Sequence, residues 1–170
     1  MDQNFSWVKE INSLRTGTSE LENIISNLRK EKIQGFEIEL LGRKLSNLTN
    51  KNNLKKIKVA ILSSNASQPI ANAMRIACLK EYFHTEIYES PFGSINQEII
   101  NSKSNLYKFD PDLILLDLDI NFFNINQEPN LNSDEIKESL EKDIAIVGNI
   151  WKCLKQFNCP IIQNTLVLPP

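Results

Sequence analysis

From Lys56 onward, short apolar runs and amphipathic stretches follow one another in turn, and that order restricts the chain to few architectures. "IKVAILSS" is β-branched, apolar and of strand length. "QPIANAMRIACLKEYF" has helical spacing, with Pro69 in a first turn where a missing N–H does no harm. "TEIYES" reads as a second strand, "GSINQEIINSKSNLYKF" as a loop with a helix, and "PDLILLDLD" as a third strand. "SDEIKESLEKDIAIVGNIWKCLKQF" is a long helix opening at Ser133 or Asp134, and "CPIIQNTLVLPP" supplies a fourth strand. The order β-α-β-α-β-α-β predicts an α/β fold, a parallel sheet with helices on both faces. Ligands of such sheets sit beyond the C-terminal strand ends. Four loops therefore matter: "SSNASQP", "SPFGS", "DLDINFF" and "QNTLVLPP".

Residues 1–50 carry a different signal and read as a helical N-terminal segment. "NFSWVKEINSLR" places Phe5, Val8, Ile11 and Leu14 at three-residue steps. "TSELENIISNLRKEK" offers Thr18 or Ser19 as N-cap, with Leu21, Ile24, Ile25 and Leu28 on one face. "FEIELLGRKLSNL" is a third, weaker helix, and the polar "TNKNNLKKIK" after it reads as a linker. The expected division is thus a helical segment over 1–50 and an α/β domain over 56–170.

A chain of 170 residues is most simply one domain and buries roughly 70% of its unfolded surface without staples. Its net charge of -2 excludes nucleic acid or an anionic membrane held by charge. No apolar run reaches the roughly 20 residues of a membrane span, and "MDQNFSWVKE" has no signal pattern, which predicts a cytoplasmic protein. Cys78, Cys153 and Cys159 lack paired spacing and read as free thiols. With His84 the only histidine and no CxxC, a zinc site is not expected.

"LILLDLDIN" delivers Asp117 and Asp119 at a strand end, the spacing of the DxDx(T/V) motif of haloacid-dehalogenase (HAD) phosphotransferases. There the first Asp attacks phosphorus, the second is general acid and base, and both organise Mg²⁺. Asn121 stands where Thr or Val belongs. The segment after Phe122 must also supply a lysine and a further acidic pair, and "PIIQNTLVLPP" carries no acid. Solvated carboxylates at a strand end are the simpler reading. The alternative is a stand-alone magnesium-dependent phosphatase using Asp117 and Asp119.

"KVAILSSNASQPIANAMRIACL", "EIYESPFGSINQEIINSKSNLYKFDPDLILLDLD" and "CPIIQNTLVLPP" together resemble the N-terminal region of FkbH-like proteins, HAD-superfamily subfamily IIIC. The most specific pieces are the loop from Gly93 to Gln97, "SNLYKFDPDLILL" and "QNTLVLPP", and the resemblance spans about residues 56–170. It implies an SGNH (GDSL-hydrolase-like) or flavodoxin-like three-layer fold, followed in the family by a separate HAD domain with its own magnesium. Family members are phosphatases or, in polyketide pathways, glyceryl transferases that load an acyl carrier protein. Since the family continues where this chain stops, the resemblance implies a truncated domain.

Set against the SGNH blocks, Gly-Asp-Ser falls on Ser63, Ser64 and Asn65, so Asn65 occupies the nucleophile position. Ser63 or Ser64 then needs a base, yet the C-terminal DxxH block is absent and His84 falls at the end of the first sheet helix. Gly93 matches the second block, and of Gly-x-Asn-Asp only Asn121 survives. Ser63, Ser64, Asn65, Gly93, Asn96, Gln97, Asn121 and Asn164 are the pocket candidates, expected to converge at the strand ends. Gly93 suits a turn with positive φ. Tyr107, Phe109, Trp7 and Trp151 read as packing residues. The expected function is a non-catalytic SGNH-like module, without cofactor of its own, that positions a HAD domain or a carrier protein.

Overall fold

The computed structural model describes residues 21–30, 32–47, 54–123 and 132–165. Phe5, Trp7, Val8, Ile11 and Leu14, the caps Thr18 and Ser19, and the last five residues lie outside them. The elements are α1 (Leu21–Lys30), α2 (Phe36–Ser46), β1 (Lys55–Ser63), α3 (Gln68–Lys80), β2 (Phe83–Glu89), α4 (Ile95–Ile100) and α5 (Asn105–Phe109). They continue with β3 (Leu113–Asp117), a 3₁₀ turn (Ile120–Phe122), α6 (Ser133–Leu154), a second 3₁₀ turn (Lys155–Phe157) and β4 (Ile161–Gln163).

The expected α/β architecture is present: one sheet in the order β2-β1-β3-β4. β1 and β3 run parallel from Val59 opposite Leu113 to Ser63 opposite Asp117. β3 and β4 run parallel from Ile114 opposite Ile161 to Leu116 opposite Gln163. One boundary differs from the sequence reading. Helix α3 stops at Lys80 and Tyr82 turns left-handed at φ 61, so β2 begins at Phe83 and takes in His84. His84 is therefore a buried strand residue and does not end the helix.

The fold divides into two compact units, Met1–Ile57 with Gln68–Ile87, and Lys58–Ser67 with Tyr88–Pro170. In the first, Ile24, Ile25 and Leu28 of α1 share a core with Leu41 and Leu45 of α2 and with Ile76 and Leu79 of α3. Each such side chain contributes about 1.5–3 kcal/mol when fully buried. Gly42 lets α2 meet α3 closely: a Cβ there would come within 2.3 Å of the Asn72 Cβ. Arg29 donates from Nε to the Lys80 carbonyl at 2.6 Å and pairs with Glu81 at 3.0 Å, satisfying the exposed end of α3.

The second unit is built on the ends of β1 and on β3. Ala60 and Leu62 pack with Ile114, Leu116, Leu118 and with Ile95, Ile99, Leu106, Ile150 and Leu154. Val59 and Ile61 point the opposite way, since strand side chains alternate, and are also fully buried. Both faces of β1 are thus covered, as a parallel sheet requires. Tyr107 and Phe109 are anchors: the Tyr107 hydroxyl donates to the Ile99 carbonyl at 2.7 Å, and Phe109 packs on Tyr88 at 5.6 Å between ring centres. At the other end of the strands, Asp112 accepts from the Lys58 N–H at 2.8 Å while the Lys58 ammonium donates to the Phe109 carbonyl at 2.6 Å.

Candidate functional site

The polar residues at the strand ends follow from the register. Ser63 and Asp117 are direct partners across the parallel pair β1–β3, so their side chains leave the sheet on the same face. The Ser63 hydroxyl donates to Asp117 Oδ2 at 2.7 Å and accepts the Asn65 N–H at 3.0 Å. Ser63 is only 2% exposed, and a buried hydroxyl needs such partners. One residue on, the Ser64 N–H donates to the Asp117 carbonyl at 2.9 Å, carrying the ladder past the strand. The Ser64 hydroxyl donates to Asp119 Oδ1 and accepts the Asp119 N–H, both at 2.9 Å. Asp119 Oδ1 also accepts the Phe122 N–H at 3.1 Å, which makes Asp119 the cap of the 3₁₀ turn.

Asn164 closes the neighbouring strand end. Its amide oxygen accepts the Leu118 N–H at 2.9 Å and its amide nitrogen donates to the Leu118 carbonyl at 3.1 Å. The side chain so imitates a further residue of β4 pairing with β3. Three residues that the sequence reading did not single out join the same edge. The Ser90 hydroxyl accepts the Ser63 N–H at 3.4 Å, and the Ser67 hydroxyl donates to Glu89 at 2.6 Å. The signal for Glu89 and Ser90 was present in "YESP", a strand end carrying the same Ser and acid chemistry as "LSSN" and "LDLD", and Ser67 lies in the loop "SSNASQP".

The structure therefore brings Ser63, Ser64, Asn65, Asp117, Asp119 and Asn164 into one hydrogen-bonded group, with the Asn65 side chain exposed. Gly93, Asn96 and Gln97 lie on the exposed loop and first turn after β2. Gly93 has φ +70, and a Cβ built on it meets nothing within 4 Å. The side chain of Asn121 is outside the described residues.

The chemistry open to this group is narrow. A serine nucleophile needs a base whose pKa lies near neutrality. Here the partners of Ser63 and Ser64 are carboxylates, and the one histidine is in β2. Both aspartates already accept protein donors, and no group of three His, Cys, Asp or Glu side chains among the described residues is placed to hold a metal. Within the second unit, burial pushes the Tyr88 hydroxyl pKa up, and the Glu98 carboxylate adds to it. No described helix is long and apolar enough to cross a membrane.

A comparison with solved structures places this architecture beside the N-terminal part of protein BF1531 from Bacteroides fragilis, described as containing a phosphatase domain complexed with Mg. The two superpose with a TM-score of 0.63 at 19% identity, over 81% of this chain. At that identity the likeness is one of fold. The chain spans 35% of that structure's length. No curated protein matches the chain. The FkbH N-terminal domain model matches residues 58–167, more than half of the sequence and all of the strand-end cluster. By that match, the chain belongs to the FkbH N-terminal domain family.

Proposed function

We propose that this chain is a non-catalytic, SGNH-like N-terminal module of an FkbH-like protein that positions a HAD-type domain, an acyl carrier protein, or both. The chemistry then belongs to the partner: phosphatase action or glyceryl transfer to the carrier in polyketide assembly, in the cytoplasm, with magnesium held by the HAD domain. Family membership supports the module, and the structural neighbour is the N-terminal part of a protein with a phosphatase domain. The observation that carries the reading is the state of the two serines. Ser63 and Ser64 occupy the start of the SGNH nucleophile block, and both hydroxyls donate to aspartates that serve the fold. Asn65, at the nucleophile position itself, has no group that attacks.

The test is phosphate release from p-nitrophenyl phosphate by the full chain with magnesium, in wild type and Asp117→Asn. The expected result is release at the protein-free rate for both. Magnesium-dependent turnover in wild type that Asp117→Asn abolishes would establish the phosphatase alternative instead.

A further inference from the structure

Helix α6 has 22 residues, a length of about 33 Å. Its C-terminal half is packed: Ile150 and Leu154 are buried in the core of the second unit, with Ile146, Val147 and Trp151 against it. Its N-terminal half also carries apolar residues, and these face water. Ile136 is 54% exposed, Leu140 52% and Ile144 62%. With Gly148 they recur every four residues and so form one stripe along the helix. Leu140, Ile144, Gly148, Trp151 and Phe123 line an open groove of about 540 Å³. Nothing among the described residues lies within 4 Å of a Cβ built on Gly148, so the floor of the groove is shallow and free.

The groove holds a carboxyl group. Asp143 lines it, is 4% exposed, and its Oδ2 has no hydrogen-bond partner among the described residues. A buried carboxylate oxygen left without a donor is costly. Besides Asp143, α6 carries Asp134, Glu135, Glu138 and Glu141 against Lys137, Lys142 and Lys152. Lys142 is occupied by Glu138 at 2.7 Å. An apolar stripe with a small residue in it accepts a helix at close range, and the carboxylate selects a cation on that helix.

We propose that this face of α6 docks an amphipathic helix of a partner protein, with a lysine or arginine within its apolar face reaching Asp143. The groove borders the strand ends through Gln163 and Phe123, and the docking proposal rests on the α6 face and not on the roles of Ser63, Ser64, Asp117 and Asp119.

The test uses the full chain and a stapled synthetic helix of about 18 residues, with leucines on one face and a single lysine among them. Binding is read by anisotropy of the labelled peptide. The expected result is saturable binding that weakens about tenfold when the lysine becomes norleucine. In Asp143→Asn the two peptides bind alike. Gly148→Leu fills the groove, abolishes binding and leaves the melting temperature undiminished, since leucine is a better helix former than glycine. No saturation by about 1 mM peptide, or binding that Gly148→Leu leaves intact, overturns the proposal. So does a dimer in sedimentation that Gly148→Leu converts to monomer, which assigns the face to a second copy of the chain.

Discussion

Ser63 illustrates how much one side chain settles. Its hydroxyl links β1 to β3 through Asp117 and fixes the loop through the Asn65 N–H. Ser63→Ala removes both bonds at a buried position and is expected to lower stability by about 1–3 kcal/mol in urea unfolding. Gly42→Ala drives a methyl into Asn72 on α3. Overpacking of that kind costs about 1–3 kcal/mol, measured the same way. Tyr88 predicts a pH effect. Burial, then Glu98, raises its pKa in the folded protein. The unfolded chain loses this proton from about pH 10. Above that the unfolded state binds fewer protons than the folded one, so stability is complete below about pH 10 and falls as pH rises. Tyr107 and Cys159 are raised as well, chiefly by burial, and act in the same sense. Tyr88→Phe is expected to flatten part of the alkaline decline in melting temperature.

At the scale of elements, the legible parts were those where spacing and burial agree. "IKVAILSS" and "PDLILLDLD" are apolar because residues 59–62 of β1 are fully buried and β3 buries Ile114 and Leu116 with Leu113 and Leu115 half-buried on its other face, and they fold as β1 and β3. The long helix begins at Ser133, one of the two starts read from the sequence, where Asn132 and Glu135 form a reciprocal capping box, but it ends at Leu154, and the last residues read as helix form a 3₁₀ turn. Asn132→Ala is expected to cost about 1 kcal/mol and to show first as faster amide exchange in the opening turn of α6. The join of α3 and β2 was not legible. A tyrosine in left-handed conformation has no distinctive sequence signal, so "KEYF" read on as helix while Tyr82 in fact ends it. The role of Asn164 was equally hidden: the composition offered a polar strand end, and only the β3–β4 register turns its amide into a substitute for backbone pairing.

Taken as a whole, the molecule concentrates its polar side chains where α/β proteins place their ligands and joins them to one another there. Ser63 to Asp117, Ser64 to Asp119, Ser67 to Glu89 and Asn164 to Leu118 each connect different segments of the second unit. Sequence alone identified the location, since each parallel strand must end on that side. It did not identify the pairing, because Ser and Asp at a strand end serve catalysis and structure alike until the register sets them opposite each other. Catalytic groups commonly sit at a cost to stability, and replacing them often stabilises a protein. Structural pairs behave in the opposite way. The direct measurement is therefore a double-mutant cycle in urea on Ser63→Ala and Asp117→Asn. A structural strand-end pair predicts that both single variants are destabilised and that the coupling between them is about 1–3 kcal/mol. A coupling near zero, with Asp117→Asn more stable than wild type, contradicts it and returns Asp117 to the list of reactive groups.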